Sequence, residues 1–185
     1  ANHPINIERV KKGLNPANAV WFWGEGVRKP LASFKDKFGL NASMISAVDL
    51  LKGIGKFSGM HVVNVEGATG YLDTNFEGKA EAAAKEFAAG SDFVYVHIEA
   101  PDECGHRHEI QNKVKAIELI DQKVLAPLIE ALKAYGEYRI MILPDRPTPL
   151  ALRPHTNAPV PYRIYDSRVR KNGVDCVGEE TAQQT

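Results

Sequence analysis

The sequence predicts an α/β fold, in which helices cover both faces of a sheet. Short apolar runs rich in β-prone residues alternate with helical segments, which is the pattern of this fold class. The run at residues 93–98 is apolar at nearly every position, as expected for a strand covered on both faces. A chain of 185 residues with 44% apolar and 25% charged residues fits one globular domain, or a piece of one.

Six short runs along the chain are predicted to be strands. The first is aromatic and is closed by Gly24 and Gly26. The last is flanked by prolines, which cannot donate to a sheet ladder, so we expect it nearer an edge. The six runs span residues 19–23, 43–48, 61–65, 93–98, 139–143 and 160–165.

Two helices are predicted in the first half of the chain. A short one is expected over residues 49–56, although two glycines weaken it. An alanine-rich segment over residues 78–89 has strong helix propensity, and Thr74 or Asn75 can cap it. These helices separate the second, third and fourth predicted strands, which keeps the strand–helix alternation intact.

The longest helix is expected over residues 109–135, where apolar residues recur at helical spacing. Pro127 lies inside this stretch and should kink it. After Asp166 the chain turns polar. We therefore expect one domain portion over residues 1–170 and a polar tail over residues 171–185.

Composition narrows the class of partner and compartment. The formal net charge is zero, which favours neither nucleic acid nor a membrane surface as a partner. Cys104 and Cys176 are too few for a disulfide framework and suit a reducing cytosol. The apolar runs fall short of a membrane span and no signal peptide is recognised, so a cytoplasmic location is expected.

A polar cluster follows the fourth predicted strand, at residues 99–108. Asp102 and His106 are four residues apart, so one helical turn would bring a carboxylate and an imidazole together. This donor pair suits Zn²⁺ or Mn²⁺, and Gly105 would allow the backbone to approach a bound group. The alternative is an aspartate that caps a helix, followed by solvated polar residues.

A second cluster follows the fifth predicted strand, in a stiff proline-rich loop. Asp145 alone would more often form a turn, and His155 alone would more often be a surface histidine. Ligands in open α/β sheets bind at the carboxyl ends of strands. Asp102, His106, Asp145 and His155 are together enough donors for one metal site, or for parts of two.

Several segments in combination resemble archaeal-type cofactor-independent phosphoglycerate mutases, members of the alkaline phosphatase superfamily. The resemblance covers roughly residues 15–165 and is tightest around the first polar cluster. The matching segments are Trp21-Phe22-Trp23-Gly24-Glu25-Gly26, Ile45-Ser46-Ala47-Val48-Asp49-Leu50-Leu51-Lys52-Gly53-Ile54, Gly67-Ala68-Thr69-Gly70-Tyr71-Leu72-Asp73-Thr74-Asn75, residues 92–103 with Gly105-His106, and Pro147-Thr148-Pro149 with His155-Thr156.

The resemblance implies a three-layer α/β/α, alkaline-phosphatase-like domain, of which this chain is the C-terminal part. It implies a glycolytic isomerase that interconverts 3-phosphoglycerate and 2-phosphoglycerate, both small phosphorylated substrates. Two divalent ions, Mn²⁺ or Zn²⁺ or else Mg²⁺, would flank a serine that is transiently phosphorylated. By motif, Asp102, His106 and His155 would hold one ion, and Asp145 would belong to the second. The cations would neutralise phosphate charge and lower the pKa of the serine.

This sequence departs from the family pattern in two ways, and each departure leads to a further expectation. The family's serine and its first metal-binding aspartate lie upstream, so we expect both in a missing N-terminal half and no turnover by this chain alone. Arg146 also stands where the family has histidine directly after Asp145. A guanidinium cannot ligate a cation. We therefore expect a weak or absent second ion, with Arg146 supplying positive charge to phosphate.

Two alternatives to the mutase remain open from the sequence. Relatives in this family also carry the labels homoserine kinase and phosphonopyruvate decarboxylase, so another phosphate-handling enzyme is one alternative. A non-catalytic fragment that kept the fold and lost the chemistry is the other, and Arg146 favours it. Cys104 is expected to be a small packing residue, because the family does not use a cysteine nucleophile.

Overall fold

A computed structural model of the chain describes residues 2–22, 24–27, 30–169 and 178–183. The chain forms two compact units, Ala1–Pro30 and Leu31–Thr185. In the first unit, helix α1 spans Pro4–Lys11, and the side chain of Asn6 both donates to and accepts from the backbone of Ala17.

The prediction of a strand at residues 19–23 is wrong for residues 19–22, because the structure has no strand there. Trp23 lies outside the described residues. Trp21 is 87% exposed and Phe22 is 90% exposed. Aromatic residues favour a strand when they pack on a sheet, so local propensity alone did not decide this segment.

The second unit contains all of the described strands. Its helices and strands are α2 Phe34–Phe38, β1 Ala42–Ile45, α3 Asp49–Phe57, β2 His61–Val63, α4 Phe76–Ala88, β3 Phe93–Val96, α5 Ala100–His106, α6 Ile110–Ile120, α7 Ala126–Leu132, β4 Arg139–Ile142, β5 Arg163–Asp166 and α8 Glu179–Ala182. Asn75 caps α4 by accepting a hydrogen bond from the Gly78 N–H at 2.8 Å, one of the two predicted caps.

A parallel sheet of three strands is the centre of the second unit. β1 pairs in parallel with β2 on one side and with β3 on the other, so the order is β2-β1-β3. α3 connects β1 to β2, and α4 returns across β1 to β3. Parallel crossovers are right-handed, so crossovers in opposite directions place α3 and α4 on opposite faces. The predicted α/β class is confirmed.

The segment predicted as one long helix is divided. α6 is followed by a π-helical turn, Asp121–Leu125, then by α7 and a short 3₁₀ turn, Lys133–Tyr135. Pro127 is the second residue of α7. Because proline has no N–H and its ring crowds the preceding turn, the helix widens just ahead of it. The structure therefore has a π turn just before Pro127, and the kink itself stays a prediction.

β4 and β5 form a separate antiparallel ribbon. Arg139 lies opposite Asp166, and its Nε is 2.6 Å from the Asp166 carboxylate. Within the described ranges this ribbon is not hydrogen-bonded to the three-stranded sheet. The sequence predicted the strands but not their division into two separate sheets, because the spacing of apolar residues does not encode which strands pair.

The main buried cluster supports the start of α5. Phe76 and Ala80 of α4 pack with Ala100 of α5, Ala116 of α6 and Val124 of the π turn. Ala100 and Ala116 have no exposed surface, and small side chains there allow the helices to approach closely. The helix that carries Asp102 and His106 is therefore anchored at its first residue.

The predicted boundary at residue 170 and the polar tail stay predictions, since residues 170–177, with Cys176 among them, lie outside the described part of the chain. α8 is a four-residue helix within the predicted tail. None of the helices that the structure describes is long and apolar enough to cross a bilayer.

Candidate metal centre

α5 brings the first two predicted ligands together. Asp102 lies in its first turn and His106 is its last residue, so the four-residue spacing places both side chains on one face. The Nε2 atom of His106 is 3.3 Å from Oδ2 of Asp102. The helical arrangement considered from the sequence is therefore the one that the structure has.

His155 joins this pair from the loop between β4 and β5. Its Nε2 atom is 3.1 Å from Oδ1 of Asp102 and 3.0 Å from Nε2 of His106. We call Asp102, His106 and His155 the metal triad, because one ligand atom from each lies within 4.8 Å of the others. The three side chains are about one-third exposed, at 29%, 34% and 33%, so the group is open to solvent.

The donor set of the metal triad fits a divalent transition metal. Ligand atoms bonded at about 2.0–2.1 Å to a tetrahedral Zn²⁺ lie about 3.3 Å apart, close to the separations found here. One carboxylate and two imidazoles also suit Mn²⁺. Without a cation, two ring nitrogens 3.0 Å apart can share only one proton between them. The two imidazoles and the carboxylate therefore have more lone pairs than donors, and a bound cation would accept the lone pairs that have no donor.

The carboxylate of Asp102 is held in its charged form. Burial alone would raise its pKa, but a hydrogen bond from Thr148 and the charges of His106 and His155 outweigh burial and lower the pKa. A carboxylate that stays ionised remains available as a ligand over a wider range of pH.

Thr148 and Lys113 contribute to this site, and sequence reasoning missed both roles. The Thr148 hydroxyl donates to Oδ1 of Asp102, and the Thr148 carbonyl accepts from Nζ of Lys113 at 2.9 Å. A Cβ atom on Gly105 would lie 2.7 Å from the Thr148 carbonyl oxygen, so glycine is needed for this approach. No local signal marks these residues, since a threonine between two prolines is typical of an ordinary turn.

Asp145 and Arg146 are not part of the metal triad. They form an ion pair with each other, with Nε of Arg146 3.1 Å from Oδ2 of Asp145, and both side chains are about half exposed. Burial raises the pKa of Tyr95, and the charge of Asp145 adds to this effect. The assignment of Asp145 to a second metal and of Arg146 to catalysis both remain predictions.

His97 and Glu99 lie where β3 leads into α5, and the side chain of Lys79 reaches the same place from α4. Nζ of Lys79 donates to the His97 carbonyl at 3.2 Å, and the side chain of Lys79 is 1% exposed, so burial lowers its pKa. Burial also raises the pKa of Glu99, and the charges of Glu103 and Asp102 add to the effect. His97 is half-buried, with Nδ1 3.4 Å from the Ser46 hydroxyl. The sequence did not single out Lys79 or Glu99.

Cys104 lies inside α5 with no exposed surface, as expected of a packing residue. Burial raises the pKa of its thiol, which disfavours the thiolate that a nucleophile requires.

Comparison with known families agrees with this fold and with a metal ion as a ligand of the protein. A family model described as the Metalloenzyme superfamily matches residues 4–184, so the chain belongs to that superfamily. Membership of a metalloenzyme superfamily and the presence of the metal triad together indicate a divalent ion at this centre.

Similar proteins carry more specific names. The chain is 48% identical over 183 residues to the “Probable 2,3-bisphosphoglycerate-independent phosphoglycerate mutase” of Geobacter sulfurreducens, covering 98% of this chain and 46% of that protein. It is 45% identical to the 2,3-bisphosphoglycerate-independent phosphoglycerate mutase of Methanosarcina acetivorans, with the same coverage. The chain thus spans about half the length of the curated relatives that it matches.

Solved structures support the same relationship. A protein from Pyrococcus horikoshii is similar with a TM-score of 0.74 and 30% identity, covering 83% of this chain and 46% of that one. The cofactor-independent phosphoglycerate mutase of Thermoplasma acidophilum is similar with a TM-score of 0.61 and 28% identity, covering 98% of this chain and 42% of that one. The alkaline-phosphatase-like fold inferred from the motifs is therefore confirmed.

Proposed function

We propose that this chain is the metal-binding portion of a cofactor-independent phosphoglycerate mutase. The metal triad carries the proposal, because it unites three ligands from two separate segments at mutual distances of 3.0–3.3 Å. The similarity to named mutases along nearly the whole chain supports the substrate class, which is a small phosphorylated acid. The transiently phosphorylated serine would lie outside this chain.

The residues of this chain have separate roles in the proposed reaction. Asp102, His106 and His155 would hold a divalent ion, Mn²⁺ or Zn²⁺, which would neutralise phosphate charge and lower the pKa of the serine. Arg146 would donate to phosphate oxygens. Apart from its bond to Asp145, no hydrogen bond of this guanidinium is found in the described ranges, so several N–H donors are available. Phosphoryl transfer needs mainly positioning and charge stabilisation, which these groups supply.

Metal binding is the first test of this proposal. Calorimetry with Mn²⁺ and Zn²⁺ on the 185-residue chain should give about one equivalent, and His106→Ala should abolish it. His61→Ala is a matched control, since His61 also pairs with a carboxylate, Glu86, but lies outside the metal triad. Binding that survives His106→Ala, or that His61→Ala weakens equally, would contradict the proposed site.

The mutase activity itself requires a full-length version that also contains the part of the relatives outside the matched region. Such a protein should convert 3-phosphoglycerate to 2-phosphoglycerate when supplied with Mn²⁺ or Zn²⁺, and Asp102→Asn should remove this activity. An intact metal site without turnover would favour the alternative of a non-catalytic scaffold. The ion pair between Asp145 and Arg146 supports this alternative, because Asp145 was expected to bind the second metal ion.

The second metal ion is tested separately in the same full-length version of the protein. We propose that the full-length protein with Arg146 binds only about one ion tightly, because a guanidinium cannot replace an imidazole ligand. Arg146→His should restore a second equivalent, measured by metal analysis after dialysis. Two ions retained in the protein with Arg146 would overturn the role proposed for this residue.

A further inference from the structure

We propose that the hydroxyl of Thr148 selects the carboxylate oxygen of Asp102 that a divalent cation binds, and so makes Asp102 a ligand through one oxygen. This inference rests on the metal site proposed above. It assigns to Thr148 a positioning role that decides which cation the site prefers.

The two oxygens of Asp102 have different neighbours. Oδ1 accepts the hydroxyl proton of Thr148 and lies 3.1 Å from Nε2 of His155, whereas Oδ2 lies 3.3 Å from Nε2 of His106. A cation would engage the lone pairs of both imidazoles, so neither Nε2 could then donate to the carboxylate. The Thr148 hydroxyl would remain as the donor on Oδ1. Oδ1 would then have one lone pair engaged by this hydroxyl, whereas Oδ2 would keep both lone pairs, so Oδ2 is the better ligand for the cation.

The position of the hydroxyl is set by two helices and not by its own loop alone. Thr148 is 5% exposed, and its carbonyl accepts from Nζ of Lys113 on α6 at 2.9 Å. On the α5 side, the absence of a side chain at Gly105 lets the same carbonyl approach, since a Cβ there would lie 2.7 Å from it. The Thr156 N–H also donates to the Pro147 carbonyl at 3.1 Å, which ties the segment carrying His155 to Thr148.

The consequence is selectivity for a small cation. A carboxylate that binds through one oxygen, together with two imidazoles, gives the small ligand set of a tetrahedral Zn²⁺ site. Larger cations such as Ca²⁺ need more oxygen ligands and often take both oxygens of a carboxylate. By engaging one lone pair of Oδ1, the Thr148 hydroxyl would weaken this oxygen as a second ligand, hold the ligand number low and favour Zn²⁺.

Thr148→Val tests this inference, because it removes the hydroxyl and keeps the branched shape of the side chain. The affinity of the 185-residue chain for Zn²⁺ should fall by about 10-fold or more, the range typical when a group that orients a metal ligand is lost. The absorption spectrum of Co²⁺ at the site, which reports coordination geometry, should change as well. Thr148→Ser keeps a hydroxyl and should restore both the affinity and the spectrum.

Thr69→Val is the matched control. Its hydroxyl also donates to an aspartate, Asp73, at 2.6 Å, but this pair lies outside the metal triad. It should leave Zn²⁺ affinity and the Co²⁺ spectrum unchanged. Melting curves of all variants identify loss of stability, because a purely structural role of Thr148 would lower the melting temperature without altering the spectrum.

The outcomes separate this inference from the metal site on which it rests. Zn²⁺ binding by wild type that is lost in His106→Ala but unchanged in Thr148→Val would overturn the role of Thr148 alone. Failure of Thr148→Ser to restore the wild-type spectrum would also overturn it. No Zn²⁺ binding by wild type would overturn both the site and the inference.

Discussion

Two clusters in the second unit combine histidine with a carboxylate, yet their chemistry differs. In one, which we call the Glu86 cluster, Oε2 of Glu86 accepts from the Ser43 hydroxyl at 2.6 Å and lies 2.8 Å from Nδ1 of His61, and Ser43 also bonds Ser91 at 2.6 Å. The other is the metal triad. The Glu86 cluster lies where β2 begins, whereas the metal triad follows the carboxyl ends of β3 and β4.

The difference lies in the balance of donors and acceptors. In the Glu86 cluster, Oε2 of Glu86 faces the Ser43 hydroxyl and the His61 ring, and both groups can donate to it, so this oxygen is satisfied without a cation. In the metal triad two ring nitrogens converge on each other and on a carboxylate, which leaves an excess of lone pairs. Residue type alone therefore does not identify a metal site, and the direction of the lone pairs does.

Exchanging the two carboxylates for amides should give the largest effects. Asp102→Asn should weaken Zn²⁺ binding by more than about 100-fold, because loss of a ligand exceeds loss of a group that orients one. Glu86→Gln should leave Zn²⁺ binding unchanged but lower the free energy of unfolding by about 1–3 kcal/mol, because it disturbs the part-buried hydrogen bond from Ser43. Calorimetry and urea denaturation measure the two effects. A loss of metal binding in Glu86→Gln would remove the distinction between the clusters.

Two glycine variants should show, through their free energies of unfolding, how closely the chain packs beneath the metal triad. Gly105→Ala should cost about 1–3 kcal/mol of unfolding free energy and weaken metal binding, because the added Cβ meets the backbone of Thr148. Gly53→Ala, in α3, has open space around the new Cβ and should be neutral or stabilising by about 0.5–1 kcal/mol. Urea denaturation of both variants measures these changes, and equal behaviour would contradict the constraint at Gly105.

Acid titration tests how much the Glu86 cluster contributes to stability. Burial alone would raise the pKa of Glu86, but hydrogen bonds from Ser43 and His61 outweigh burial and lower the pKa below its ordinary value of 4.5. As the pH falls, the unfolded chain therefore takes up this proton before the folded chain does. The stabilisation is complete above pH 4.5 and is lost as the pH falls through the lower folded value.

Glu86→Gln should consequently show a smaller loss of stability on acidification than wild type, measured by urea denaturation across a pH series. Asp102, whose pKa is also lowered, remains in both proteins and so cancels in the difference. An identical slope in the two proteins would show that Glu86 does not contribute to acid lability.

His61→Ala should have the smallest effect of this series. The side chain of His61 is 69% exposed, so its pairing with Glu86 is screened by solvent. The expected loss of unfolding free energy is about 0.5 kcal/mol or less. A loss as large as that of Glu86→Gln would mean that the imidazole, and not the buried hydroxyl of Ser43, stabilises the carboxylate.

Local patterns in the sequence were sufficient for much of the fold and for two of the three members of the metal triad. The alternation of apolar runs with helices predicted β1, β2, β3 and β4, and the cap at Asn75 followed from its side chain. The spacing of Asp102 and His106 places both on one face of any helix. These features depend on neighbours within a few residues, and such neighbours are fixed by the chain itself.

The tertiary structure decided the remaining contacts, although the family resemblance had already grouped His155 with Asp102 and His106. It brought His155 to His106 across 49 residues, set the Thr148 hydroxyl on Asp102, and left Asp145 paired with Arg146. It also paired β4 with β5 as a separate ribbon and left residues 19–22 without a strand. Contacts between distant segments depend on how helices and strands pack, and the pattern of residue types along the chain does not encode the direction in which a side chain's donors and lone pairs will point.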